Sequence, residues 1–290
     1  MIFKQFYYFL INSNIYISLA AVLLTVEAQI QLGMQPQWHP YLFIIFFATM
    51  LEYNFHRLIT LLTRKETLEN EKHTWLRNNL KSFYFLMAIS VVGFFIAFLF
   101  AKKQVVITLL PIGIITVFYS LPIFKTKAKL FRLREISILK IFLISAVWAL
   151  STILLPVIQA ERHFDFLNIL WMLIERMLFV FAITIPFDIR DMQSDEHAHL
   201  KTIPNLIGEK RAIRLAVFAL LLFAILCVAH YVKTPLVYTL PALLLSAITT
   251  YVYITKEKIK KLTYYYYGVL DGTMFFQGLM VVASYYVFYR

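Results

Sequence analysis

A chain of 290 residues that is 61% hydrophobic and 17% aromatic, with a mean hydropathy of +0.72, lies outside the composition of a water-soluble globular domain. It reads as a polytopic membrane protein, and its formal charge of +12 marks loop topology and attraction to anionic lipid, with no basic patch interleaved with exposed aromatics of the kind that nucleic acid requires. The single cysteine, Cys227, lies in an apolar run, which excludes a disulfide framework and a thiolate metal cluster.

A spanning helix needs about 20 apolar residues. Measured along the chain, that length predicts nine spans, near 14–33, 40–62, 80–101, 104–121, 136–158, 166–187, 212–232, 235–255 and 263–289. Lys4 precedes a long apolar stretch with no short hydrophobic region ending at a small-residue cleavage site, so the N-terminus is expected to be retained and residues 1–290 to form one mature chain and one domain. Lys and Arg gather after the even-numbered spans, as at Arg64 and Arg77, Lys125 and Arg134, Arg190 and Arg211, and Lys256 and Lys261. The opposite loops offer Lys102, Lys103, Arg162 and Lys233. Basic loops stay inside, so the N-terminus is expected in the cytoplasm and the C-terminus outside, in a cytoplasmic-type membrane.

At the inner end of the sixth span, Asp188, Asp191 and Asp195 follow at i, i+3 and i+7, on one face if the helix continues. Stacked like charges repel unless a cation sits among them, and a hard divalent ion with oxygen ligands suits three carboxylates. The same spacing also describes a solvated acidic helix end, and by itself it leaves both readings open. Asp191, Asp195 and His199 share a similar stagger, which keeps a transition-metal site with His197 nearby as a further alternative. Mid-span Glu175 and Arg176 are expected to form a structural pair or helix clamp, Asp271 to line a cavity, and the tyrosines of "TYYYYG" to form an interfacial belt; Glu27 has no evident role.

The stretch "FDIRDMQSDEHAHLKTIPNLIG" resembles the second aspartate-rich motif of the UbiA-type intramembrane prenyltransferases: Asp191 and Asp195, then Lys201-Thr202-Ile203-Pro204, then Gly208, with His199 where that family has glycine. "FYSLPIFK", Phe118 to Lys125, is similar to the family's Tyr-Ser/Thr-x-Pro-x-x-Lys loop after the fourth span. The resemblance implies an all-α bundle of nine transmembrane helices, two four-helix halves and one more. It also implies Mg²⁺-dependent transfer of a prenyl group from an allylic prenyl diphosphate to an aromatic or other lipophilic acceptor within the membrane. Residue by residue, it places Asp191 and Asp195, supported by Asp188, on the metal, and Tyr119 and Arg57 with them at the reacting centre. Lys125, Arg190, Lys201, Thr202, Glu52, Asn54, His56 and Asp271 are implied to contact substrate.

The first motif departs from the pattern. In "LEYNFHRLIT", Glu52, Tyr53, His56 and Thr60 stand where the family has Asn and three Asp. This reduces the capacity for a second metal ion and keeps open a catalytically impaired protein that binds prenyl lipid or diphosphate without turnover. A secondary transporter is the remaining alternative, with few of the broken spans it requires. Beyond prenyl diphosphate, acceptor and membrane lipid, no nucleic acid or protein partner is implied.

Overall fold

The computed structural model describes residues 2–63, 71–121, 124–125, 130–131, 136, 138–197 and 200–289, with side chains at 4–59, 74–119, 121, 136, 138–196 and 200–289. The chain opens with α1 (Ile2–Asn12) and α2 (Ile15–Gln31), then α3 (Pro40–Thr63), α4 (Glu71–Asn78), α5 (Leu80–Leu99) and α6 (Lys103–Ser120). A two-residue antiparallel pair, β1 (Phe124–Lys125) and β2 (Leu130–Phe131), is followed by α7 (Leu139–Gln159), α8 (Phe166–His197), α9 (Ile203–Ile207) and α10 (Glu209–Tyr231). The chain ends with α11 (Leu240–Thr255), α12 (Glu257–Lys260), a π-helical turn over Tyr265–Leu270, and α13 (Asp271–Phe288).

Helices stand at each of the nine expected apolar stretches. By length and composition, six of them among the described residues are sufficient to cross a membrane, or seven if the bent pair at the N-terminus counts as one span. The difference from nine lies in α6, whose apolar part is the shorter Lys103–Tyr119, in α13, whose 18 residues include Asp271 and Gln277, and in α2, whose 17 residues qualify only together with α1. The 76° bend between α1 and α2 has a local cause. Asn14 adopts the left-handed conformation (φ 64°), which asparagine tolerates better than most residues. As a result α1 is a short helix set across the end of α2.

α8 is the long element of the bundle. Its 32 residues run through Pro186 without a break, so Asp188, Asp191 and Asp195 do share one continuous helix. The helix has ended before Thr202, which precedes α9, and Gly208 (φ 82°) then turns the chain into α10.

The core is apolar and closely packed, with Ala20, Leu24, Phe179, Phe223, Leu243 and Val281 all buried. Where α13 packs on α2, the residue is small: a Cβ on Gly278 of α13 would lie 2.8 Å from the Leu23 backbone carbon of α2. In a membrane, where lipid competes equally for apolar side chains, such close packing is a main source of helix association.

Two polar clamps run through this interior. Arg176 Nη2 donates to Glu27 Oε1 at 3.0 Å, and Arg176 Nη1 donates to the Leu24 carbonyl at 3.1 Å and to Thr152 Oγ1 at 3.3 Å. Gln277 Nε2 donates to the same Glu27 oxygen at 2.9 Å, which ties α2, α7, α8 and α13 together. Its neighbour Glu175 instead lies 2.8 Å from His230 Nδ1 and accepts from the Tyr231 hydroxyl at 3.2 Å, on α10. The expected Glu175/Arg176 pair is therefore two separate clamps, because consecutive helix positions point about 100° apart. Glu27, which the sequence left without a role, is the counter-ion.

Candidate active site

One cavity of about 360 Å³ opens where the C-terminal part of α8 meets α3, α6, α7 and α13. Its walls divide by chemistry. At one end lie the carboxylates of α8 with Arg190 and Lys140; deeper, Ile144, Val147, Val180, Ile183 and Met274 make an apolar chamber beside Tyr53, Tyr119 and Trp148.

The charged end is built from paired ions. Arg190 grips Asp191 with two bonds, Nε to Oδ1 at 2.7 Å and Nη2 to Oδ2 at 2.9 Å, and its Nη1 donates to the Tyr267 hydroxyl at 2.8 Å. The guanidinium also lies over three rings, 4.9 Å from the centroid of Tyr266, 5.2 Å from Tyr267 and 5.3 Å from Phe187. The π-helical turn at Tyr265–Leu270 presents two of those rings, so tyrosines expected to act only as an interfacial belt also hold a site residue. Opposite Arg190, Lys140 of α7 reaches across to α8, 2.5 Å from Asp188 Oδ1 and 4.0 Å from Asp195 Oδ2. Asp188 Oδ2 is buried and takes no hydrogen bond.

Arg57 of α3 lines the cavity and at the same time binds the bend between α1 and α2. Nη1 donates to the Asn12 carbonyl at 2.6 Å and Nη2 to Asn14 Oδ1 at 3.1 Å. Asn14 Nδ2 in turn donates to Asn54 Oδ1 at 2.9 Å. The ring of His56 lies 6.2 Å from that of Tyr119, which brings the eroded first motif and the loop-side tyrosine to one wall.

Of the residues expected in the site, Glu52, His56, Arg57, Tyr119, Asp188, Arg190, Asp191, Asp195 and Asp271 all line this cavity. Asn54 does not; it is buried in the bend, donating to the Ser13 and Met50 carbonyls. Lys201 is exposed and Thr202 buried, both on the segment after α8 and neither on the cavity wall, because the helix stops and the chain turns away toward α9. The side chains of Lys125, Thr60, His197 and His199 lie outside the described residues. Lys140, Tyr267 and Trp148 were not anticipated. Lys140 carried a signal nonetheless: it is a lone lysine heading an otherwise apolar span, "LKIFLISAVW", and stacked aspartates call for a cation from a neighbouring helix.

Five carboxylates (Glu52, Asp188, Asp191, Asp195, Asp271) face three permanent cations (Arg57, Lys140, Arg190) among the described residues, a formal excess of two negative charges. An anionic ligand needs further positive charge to enter. The described residues contain no group of three His, Cys, Asp or Glu side chains disposed to hold a metal ion by themselves. Mg²⁺, however, takes one or two carboxylates and fills its shell with water and substrate phosphate. The aspartate end, with the open oxygen of Asp188, fits such an ion in the company of a phosphate ligand. The first motif, reduced to Glu52 and His56, does not fit a second one.

A helical bundle whose cavity joins an ion-rich mouth to an apolar chamber suits a ligand with a charged head and an apolar tail. The model of the UbiA prenyltransferase family matches residues 78–282, and the chain belongs to that family. Among solved structures, a UbiA homolog from Archaeoglobus fulgidus aligns with a TM-score of 0.62 at 13% identity, over 95% of this chain and 99% of that one. The same homolog bound to GPP and Mg²⁺ aligns with a TM-score of 0.61 at 12% identity, over 96% and 99%. A digeranylgeranylglyceryl phosphate synthase aligns with a TM-score of 0.55 at 14% identity, over 99% and 98%. At these identities the likeness is one of fold. No curated protein sequence matches the chain.

Proposed function

We propose that this protein transfers a prenyl group from an allylic prenyl diphosphate to an aromatic or other lipophilic acceptor inside the membrane. The observation that carries the reading is the division of one cavity into an ionic mouth and an apolar chamber, which suits a molecule with a diphosphate head and a hydrocarbon tail. The Archaeoglobus homolog with GPP and Mg²⁺ supports it by fold.

In this reading the bond between the allylic C1 and the diphosphate oxygen breaks, its electron pair leaves with the diphosphate, and C1 bonds to the acceptor. The proton displaced from the acceptor goes to the departed diphosphate. Arg190 and Lys140 take up charge on the phosphate oxygens, and Arg57 supplies a fixed cation from α3, each worth more in a site that excludes water than in solution. When bound at Asp191 and Asp195 with Asp188 in support, a single Mg²⁺ supplies Lewis-acid charge to the same oxygens. The apolar chamber keeps water from the allylic cation, and the faces of Tyr119 and Trp148 stabilise it. Asp271, Glu52 and His56 form the polar part of the acceptor side. In the same reading α6 and α13 also cross, making nine spans, and the basic loops favour a cytoplasmic N-terminus with the mouth of the cavity on that side.

A second reading, a binding protein without turnover, is favoured by the loss of carboxylates from the first motif. Both are tested by incubating the full chain in lipid nanodiscs with radiolabelled dimethylallyl, geranyl and longer prenyl diphosphates, Mg²⁺ and a membrane lipid extract. A lipid-soluble labelled product that disappears in Asp191→Asn and Asp195→Asn is expected. Saturable binding without product in any lane points to the second reading, and neither binding nor product overturns both.

A further inference from the structure

We propose that Lys140 is a built-in placeholder cation: it occupies the divalent-ion position between Asp188 and Asp195 and yields it only when a diphosphate arrives to take the ammonium. Ion and diphosphate would then bind as a pair, each poorly without the other. The inference rests on the reading of the cavity as a diphosphate site and specifies how that site is charged and discharged.

Three observations support it. Lys140 Nζ sits 2.5 Å from Asp188 Oδ1 and 4.0 Å from Asp195 Oδ2, and its side chain is 14% exposed against 0% and 7% for the two carboxylates. A water-filled setting would screen such contacts, whereas this one does not. The open oxygen is on the same carboxylate: Asp188 Oδ2 is buried in the cavity wall without a hydrogen bond, so the lysine satisfies only half of its partner. The charge balance then sets the order of events. With a formal excess of two negative charges around the cavity, a bare diphosphate is repelled, and with the ammonium seated between Asp188 and Asp195 a bare divalent ion finds that position already filled. When the two arrive together, the ion takes the carboxylates and the ammonium is left within reach of phosphate oxygens, where lysine is an effective point-charge donor. Asp191 does not touch the ammonium: Arg190 holds both of its oxygens, so it stays in place as the further ligand while Lys140 yields Asp188 and Asp195.

Mn²⁺ binding to the full chain in nanodiscs, read by electron paramagnetic resonance, tests this without any turnover. In the parent, Mn²⁺ alone should bind weakly, and geranyl thiolodiphosphate, an unreactive analogue, should tighten it at least tenfold. Lys140→Met should bind Mn²⁺ alone on the order of tenfold more tightly than the parent, with the enhancement by the analogue falling below about threefold. Lys140→Arg, which keeps the charge, should behave like the parent, and Lys140→Gln, which keeps polarity without charge, should behave like Lys140→Met and serves if the Met variant is not monodisperse. Equal Mn²⁺ affinity in the parent and in both neutral variants, in the absence of the analogue, overturns the placeholder role. The outcome is separable from that of the transfer reading: an intact Mn²⁺ pattern with no prenyl product overturns turnover alone, and equal affinities overturn the placeholder whatever the product assay shows.

Discussion

Arg190 shows how much of one residue's setting is chemical and how much is local geometry. Its charge was expected to meet a diphosphate; what holds it ready is a fork on Asp191, a hydroxyl from Tyr267 and three aromatic faces. Lysine cannot reproduce the planar fork. Arg190→Lys should therefore weaken binding of geranyl thiolodiphosphate about tenfold, or about 1.4 kcal/mol, by isothermal titration. Parent-like affinity would show that the fork serves only Asp191. The Glu27–Arg176 pair lies far from this chemistry and should act on stability. Both side chains are almost wholly buried, so removing one leaves the other's charge without its partner in the interior. Glu27→Ala should cost about 3–5 kcal/mol in unfolding of the detergent-solubilised protein, and the double change Glu27→Leu with Arg176→Met should recover most of it. A single variant as stable as the parent would mean that Thr152 and Gln31, whose Oε1 accepts from Arg176 Nη2 at 3.4 Å, suffice for the arginine.

Among the elements, α3 carries the greatest number of tasks. Its Glu52 and His56 face the cavity while Asn54 and Arg57 hold the bend that sets α1 across the end of α2. A residue expected to serve only the diphosphate thus has two of its donors committed to the backbone and side chain of that bend. α13 works differently, by closeness: with a Cβ at Gly278 only 2.8 Å from Leu23, any side chain there forces α13 off α2. Gly278→Val should destabilise the protein by about 1–3 kcal/mol through overpacking, and should shift Asp271 on the same helix relative to the cavity. The check is thermal unfolding combined with hydrogen exchange along α2 and α13; unchanged exchange on both helices would show that the contact relaxes without cost.

For the whole molecule, the distribution of basic residues makes the boldest claim. Arg and Lys clusters follow the even-numbered spans, so a reporter that is active only outside the cytoplasm should be active when fused after Arg290 and inactive when fused before Met1. The opposite pattern would invert the orientation and move the ionic mouth of the cavity to the other face of the membrane. That mouth also carries a formal negative excess although the chain as a whole is strongly positive. The site's charge is set by which few residues converge, and bulk composition says nothing about it.

Hydrophobic run length was enough to place a helix at every one of the nine stretches, because a backbone in lipid must satisfy its own hydrogen bonds. Spacing alone put Asp188, Asp191 and Asp195 on one face, and α8 does run unbroken through all three. The motifs around them pointed to the family that the chain belongs to. Pairings between helices could not be read in this way. Lys140 lies 48 residues before Asp188, Glu27 lies 149 before Arg176, and Tyr267 follows Arg190 by 77, so no local pattern connects them. Which cation neutralises which carboxylate depends on helix rotation and crossing, and those are decided by packing at contacts such as Gly278 against Leu23. Apolar length and charge spacing are properties of one segment, whereas a counter-ion belongs to two, and only the assembled bundle brings them together.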